Sequence, residues 1–122
     1  MGYESKLYIV EKSHRYSDEE KGYARIIAMF DMCKVSDLVD VFKRETEWFF
    51  YADDGDTQVL EDRYGDVLKE ATVEEVIEAV EEIIARGDNY RRWFPLLATL
   101  KVIQGQYEQG IWKDIAVLHY GY

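Results

Sequence analysis

Cysteine is nearly absent from this chain. Cys33 is the only one, so no intramolecular disulfide can form and no cysteine-rich zinc site can be built. Such usage fits a reducing cytoplasm. Histidine is almost as scarce, with His14 in a polar stretch and His119 in an apolar terminal one. No segment approaches the roughly 18 apolar residues of a membrane span, and the start Met1 to Lys6 lacks the basic cluster and apolar run of a signal peptide. The expectation is a cytoplasmic protein with no membrane partner. The chain also lacks a Gly-rich phosphate loop, an HExxH pair and a GxSxG elbow. Neither an internal repeat nor a low-complexity linker interrupts it, and its length suits one domain, so residues 1–122 read as a single acidic domain.

Basic residues are missing from one region in particular. Residues 1–44 hold eight acids and eight bases, residues 45–88 fifteen and three, and residues 89–122 two and four. The net charges are therefore 0, −12 and +2, and the whole excess lies in the middle third. A field concentrated in this way repels nucleic acid and attracts basic surfaces, which argues against direct DNA or RNA binding. Hydrophobic residues at 48% can still fill a core, so a folded protein is expected rather than a disordered acidic tail.

Lys6 to Ser13 is β-branched and aromatic and reads as a strand, followed by a polar loop His14 to Gly22 and a second strand from Tyr23 to Lys34. In the second run Ala24, Ile26, Ala28 and Phe30 alternate with Arg25, Ile27, Met29 and Asp31, as expected for a central strand hairpinned to the first. Ser36 is placed to cap a short helix that turns Leu38, Val39 and Phe42 to one side and reaches about Arg44. Glu47 to Ala52 is a strand, Asp53-Asp54-Gly55-Asp56 a tight turn, and Thr57 to Glu61 its return. Arg63 to Asp66 forms a second turn before a short extended piece, Val67 to Glu70.

Thr72 and Glu75 have capping-box spacing. Val73, Val76, Ile77, Val80, Ile83 and Ile84 then repeat at helical intervals, with Glu74, Glu75, Glu78, Glu81 and Glu82 on the other face and Gly87 as the stop. A second helix is expected from about Asn89 to Gln104, its lone proline, Pro95, tolerable only in the first turn. Asp114 to Tyr122 closes the chain as a strand. The pattern predicts an α+β fold: a mostly antiparallel sheet of about five strands packed against two longer helices and one short one.

Several motifs invite a chemical reading. Asp54-Gly55-Asp56-Thr57 behind an apolar run is similar to the nucleophile motif of haloacid-dehalogenase-like phosphatases, in which one aspartate attacks phosphorus and a second serves as acid and base. That chemistry needs Mg2+ and carboxylates from a parallel sheet that the remaining residues are too few to build, and Gly55 suits a hairpin turn better. Clustered aspartates also suit Ca2+, but Asp53 through Asp56 are adjacent instead of alternating, and no bidentate glutamate follows at the twelfth position. Cys33 reads as a small buried residue and His119 as a hydrogen-bonded sheet residue. No catalytic residue, metal or cofactor is therefore expected. The ten tyrosines are too many for the core alone; they line its edge or supply a protein interface.

The acidic face carries the functional expectation. Glu74 with Glu78, and Glu78 with Glu82, are like charges at i,i+4, which cost a helix a few tenths of a kcal/mol each. Carboxylates on successive turns stand about 5–6 Å apart at Cβ, a repeat of the order of charges on a nucleic-acid strand. Such a face can fill a basic groove; the plainer reading is a solvated surface that keeps the protein soluble.

The opening Met1 to Lys12, the segment Phe50 to Thr57 with Glu61 to Asp66, and the ending Val117 to Tyr122 together resemble small acidic proteins of phages and prophages of Gram-positive bacteria. The resemblance implies a host-takeover role, in the manner of inhibitors of host nucleases or CRISPR effectors, several of which look like nucleic-acid mimics. The expected function is a non-enzymatic inhibitor in the host cytoplasm. It would bind a basic, nucleic-acid-binding host protein through Asp53, Asp54, Asp56, Glu61, Asp62, Asp66, Glu74, Glu75, Glu78, Glu81 and Glu82. The alternative is an accessory or structural phage protein that acts through tyrosine-rich homo-oligomer or virion contacts.

Overall fold

The computed structural model describes residues 5–14, 22–32, 36–52, 54–62 and 65–121. Cys33, Asp53, Arg63, Tyr3, Tyr16, Tyr64 and Tyr122 lie outside them, as do the side chains of His14, Ser36 and Val39. β1 (Ser5–His14) and β2 (Gly22–Asp31) form the expected antiparallel hairpin, with Leu7 opposite Phe30 and Ile9 opposite Ala28. The register then slips: Val10 faces Ile26, which leaves Ile27 as the extra residue of a bulge. The slip breaks the alternation read from the sequence. Ala28 and Phe30 join the cluster of Leu7 and Ile9, while Ala24 joins that of Val10 on the opposite face.

The remaining strands are β3 (Arg44–Glu45), β4 (Trp48–Tyr51), β5 (Gln58–Val59), β6 (Lys69–Ala71) and β7 (Ile115–Gly121), in the sheet order β3-β6-β7-β1-β2-β4-β5. The expectation of about five mostly antiparallel strands is thus corrected twice. The sheet has seven strands, because Arg44–Glu45 and Lys69–Ala71 join it. It is also mixed, since β4 runs parallel to β2 with Gly22 opposite Trp48 and Tyr23 opposite Phe49. Strands of two or three residues are too short to show a two-residue period, and the direction of β4 is set by the crossover before it. That crossover contains a 3-10 helix, Ser36–Val41, shorter than the helix expected to reach Arg44.

The sheet curls until its two ends meet. The Leu68 N–H donates to the Leu60 carbonyl at 2.9 Å and Glu61 bridges to Val67, so the chain leaving β5 is tied to the chain entering β6. This leaves little exposed edge on that side. Inside the curl pack Val10, Ala24, Phe50, Leu68, Ala116 and Leu118, with Tyr8 stacked 4.4 Å from Phe50. At one rim the Lys12 ammonium lies 5.7 Å from the Trp48 ring and 3.3 Å from a Glu70 carboxylate oxygen. β7 runs between β6 and β1, and its residues Ile115 to Leu118 are buried on both faces.

The helices cover the convex face. α1 (Val73–Ala85) buries Val73, Val76, Val80 and Ile83, each worth about 1.5–3 kcal/mol of apolar burial. The predicted capping box is present: the Glu75 N–H donates to the Thr72 hydroxyl at 3.1 Å and the Thr72 N–H to the Glu75 carboxylate at 2.9 Å. α2 (Trp93–Glu108) buries Trp93, Leu96, Leu100 and Ile103 against the same core. It starts and ends four residues later than expected. Asp88 accepts from the Tyr90 N–H and holds that stretch in a turn, and Gly105 is carried through the helix, whose end falls at Gly110 with φ 84°. Pro95 does sit in the first turn.

The candidate acidic interface

α1 and α2 lie side by side on the convex face, each with a buried edge against the sheet. Helical geometry then fixes what points outward. On α1 the buried residues Val73, Val76, Val80 and Ile83 leave Glu74, Glu78, Glu81 and Glu82 on the solvent side, and all four are exposed.

These carboxylates are not equivalent. Glu75 is half-buried and structural: besides closing the capping box it accepts from the Arg44 guanidinium at 3.0 Å, which ties α1 to β3. The Thr72 N–H, and next the Arg44 side chain, hold its carboxyl below the usual range. Glu81 pairs with Lys101 of α2 at 3.3 Å, and Glu74 accepts from the Gln104 amide at 3.1 Å, so both brace the two helices. Glu78 and Glu82 remain. No hydrogen bond or ion pair from any described residue reaches either carboxylate.

The aspartates of the two hairpins sit elsewhere. Asp54 is the acceptor that builds the β4–β5 turn: one oxygen takes the Asp56 and Thr57 N–H groups at 2.9 Å each and the other the Thr57 hydroxyl at 2.6 Å. The Thr57 hydroxyl, then the two N–H groups, lower its pKa. Gly55 takes φ 77°, as the turn reading requires. Both carboxylate oxygens are thereby committed to the turn. Asp62 accepts from the Asp66 N–H at 3.1 Å and closes the next hairpin, with Glu61 exposed beside it. Among the described residues no group of three histidine, cysteine or acidic side chains is placed to hold a metal ion.

The sequence-predicted acids thus fall on three elements: a helical ridge and two hairpin tips. α1 packs on α2, the 3-10 helix and β7, whereas the β4–β5 hairpin packs on β2. His119 is hydrogen-bonded, its Nε2 lying 3.1 Å from the Ser5 hydroxyl, with the Phe42 ring 5.2 Å away. Tyr8, Tyr23, Tyr90 and Tyr120 are half-buried and packed against other aromatic rings, tilted or edge-on, while Tyr51, itself against Tyr23, and Tyr107 are exposed.

One surface escaped the sequence reading. The outward ridge of α2 is apolar, with Phe94 50% and Val102 59% exposed. The signal was available: Phe94, Ala98 and Val102 repeat at i,i+4 opposite the buried Trp93, Leu96, Leu100 and Ile103, which makes the helix apolar on both sides. Among the described residues no helix is long and apolar enough to cross a membrane. Compared with protein families, curated proteins and solved structures, the chain matches none.

Proposed function

We propose that this chain is a non-enzymatic binding protein, of the phage inhibitor type that its resemblance implies, and that it engages a basic host protein through the acidic ridge of α1. The observation that carries this reading is the isolation of Glu78 and Glu82. Three other acids on or beside the helices and sheet are paired with a base, Glu75 with Arg44, Glu81 with Lys101 and Glu70 with Lys12. On the outermost line of α1 the fold places carboxylates on successive turns with no ion pair from any described residue, although lysine at position 78 would make the helix more stable.

Flanked by Glu74 and Glu81, these carboxylates present a linear acidic array that suits a groove lined by arginine and lysine, such as the nucleic-acid channel of a nuclease or CRISPR effector. The exposed Asp56, Glu61 and Asp66 add to the field that steers such a partner without sharing the ridge. The test is capture from host lysate by immobilised protein, compared with Glu78→Lys/Glu82→Lys, at low and high salt. Retention of a nucleic-acid-binding protein by the native chain alone, lost at high salt, is expected. Equal capture by both proteins, or none by either, overturns the proposal.

A further inference from the structure

An isolated solvent-facing helical ridge is ordinarily polar, and that of α2 is not. Phe94, Pro95, Ala98 and Val102 are all exposed, and Lys101, next to Val102, is already paired with Glu81. Gly105 lies on the same side. A Cβ built on it meets nothing within 4 Å, so no contact in this fold calls for glycine there, and glycine weakens a helix interior. Ile111 extends the ridge. Its N–H donates to the Gln106 carbonyl at 3.0 Å in the turn that ends α2, and its side chain is 56% exposed. The ridge therefore runs the full 16 residues of α2, about 24 Å, with large apolar groups at its ends and middle and a glycine where a neighbour can come close.

Alongside it lies the acidic ridge of α1, held in place by the Gln104 to Glu74 hydrogen bond and the Lys101–Glu81 pair. Helices packed in this way have axes about 8–10 Å apart, within the span of one partner helix and its side chains. The combination is a selective one. A nucleic-acid-like array needs no apolar neighbour, and a membrane surface rich in anionic lipid is repelled by α1. A second copy of the chain would match the apolar ridge, but within its α2 Lys101 is the one base, and it is paired with Glu81, while Arg91 and Arg92 lie before the helix.

We infer that the two ridges form one docking surface for a basic amphipathic helix, whose apolar stripe lies along Phe94, Ala98, Val102 and Gly105 while its lysines or arginines reach Glu78 and Glu82. The charged half rests on the acidic-ridge reading above; the apolar half rests on α2 alone.

The probe is a fluorescent lysine–leucine peptide of about 18 residues with helical periodicity, matched to the length of α2. Its control is a peptide of equal composition in scrambled order. Anisotropy titration is expected to show the periodic peptide binding at least tenfold more tightly than the scrambled one. Val102→Asp and Glu78→Lys/Glu82→Lys should each weaken it tenfold or more. Gly105→Ala should raise the melting temperature yet weaken the peptide, a pairing that a purely structural glycine does not produce. Equal binding of both peptides, with only the charge variant impaired, overturns the composite surface and leaves the acidic ridge standing. Loss with Val102→Asp but not with the charge variant overturns both. Concentration-dependent dimerisation abolished by Val102→Asp assigns the ridge to a second copy and overturns the inference.

Discussion

Replacing Glu78 by lysine separates the needs of the fold from those of binding. Glu78 stands one turn after Glu74 and one turn before Glu82, all three exposed, and nothing among the described residues pairs with it. Lysine and glutamate have nearly equal helix propensity, so the backbone is indifferent to the change. What changes is charge. Two like-charge i,i+4 pairs, each costing about 0.2–0.5 kcal/mol, become two opposite-charge pairs that contribute about as much. The sum is about 1 kcal/mol of added stability, for a chain of this size a rise of about 3–5 °C in melting temperature. The rise should shrink in high salt, because both the lost repulsions and the new attractions are screened. Thermal unfolding followed by circular dichroism measures it, and the lysate capture described above is run on the same variant. A lower melting temperature would mean that Glu78 has a structural role, and the reasoning from its isolation would fail. A higher melting temperature with undiminished capture would show that the ridge is soluble surface and nothing more.

Three further substitutions probe the frame that holds the ridges. Gly22→Ala should destabilise by about 1–3 kcal/mol in urea unfolding, since its Cβ would overlap the Cε3–Cζ3 edge of Trp48 and lie 2.8 Å from Cη2; pairing it with Trp48→Leu should recover part of the loss, and an unchanged midpoint would refute the packing argument. Lys12→Met strands the half-buried Glu70 carboxylate and should cost about 2 kcal/mol, while adding Glu70→Leu restores most of it; strict additivity of the two single changes would show that the pair is not coupled. Glu75→Gln keeps a side chain able to cap but removes the charge. Because the Thr72 N–H and then Arg44 depress the folded pKa of Glu75 below its ordinary value of 4.5, the carboxylate stabilises the fold above that pH and the contribution is lost as pH falls through the folded pKa. The native melting temperature should therefore drop more steeply below about pH 4.5 than that of Glu75→Gln, and parallel curves would contradict this.

Local chemistry in the sequence was enough for the elements that are decided locally. Thr72 and Glu75 announced the start of α1, the apolar spacing from Val73 to Ile83 its buried edge, and Gly55 the reversal at the β4–β5 tip. The misreadings share a different cause. β3 and β6 exist because the chain passes β7 and the Thr46–Leu68 contact at hydrogen-bonding distance, not because Arg44–Glu45 or Lys69–Ala71 favour extended backbone. The parallel β2–β4 pair and the slip at Ile27 are likewise properties of pairing, invisible in either strand alone. The start of α2 moved because Asp88 captures the Tyr90 N–H, a competition between side chain and helix that periodicity does not register.

The same limit governs the acids. Composition weights Asp54, Glu75 and Glu78 alike, and a field calculated from the −12 middle third would treat them as interchangeable. The fold does not. Asp54 is consumed by three hydrogen bonds within its own turn, and Glu75 by a cap and a guanidinium. Either could be replaced only at a cost to local structure, so its acidity is explained without any partner. For Glu78 and Glu82 no such account exists: the helix would be more stable without their repulsion, and no described residue draws on their charge. Residues that a fold would be better off without are where selection for something other than folding is most economically sought. The apolar ridge of α2 meets the same criterion from the opposite side, because exposing Phe94 and Val102 and retaining Gly105 in its last turn bring this chain no stability either. Two adjacent departures from what folding favours, one in charge and one in hydrophobicity, are more economically explained by one partner that answers both than by two unrelated accidents.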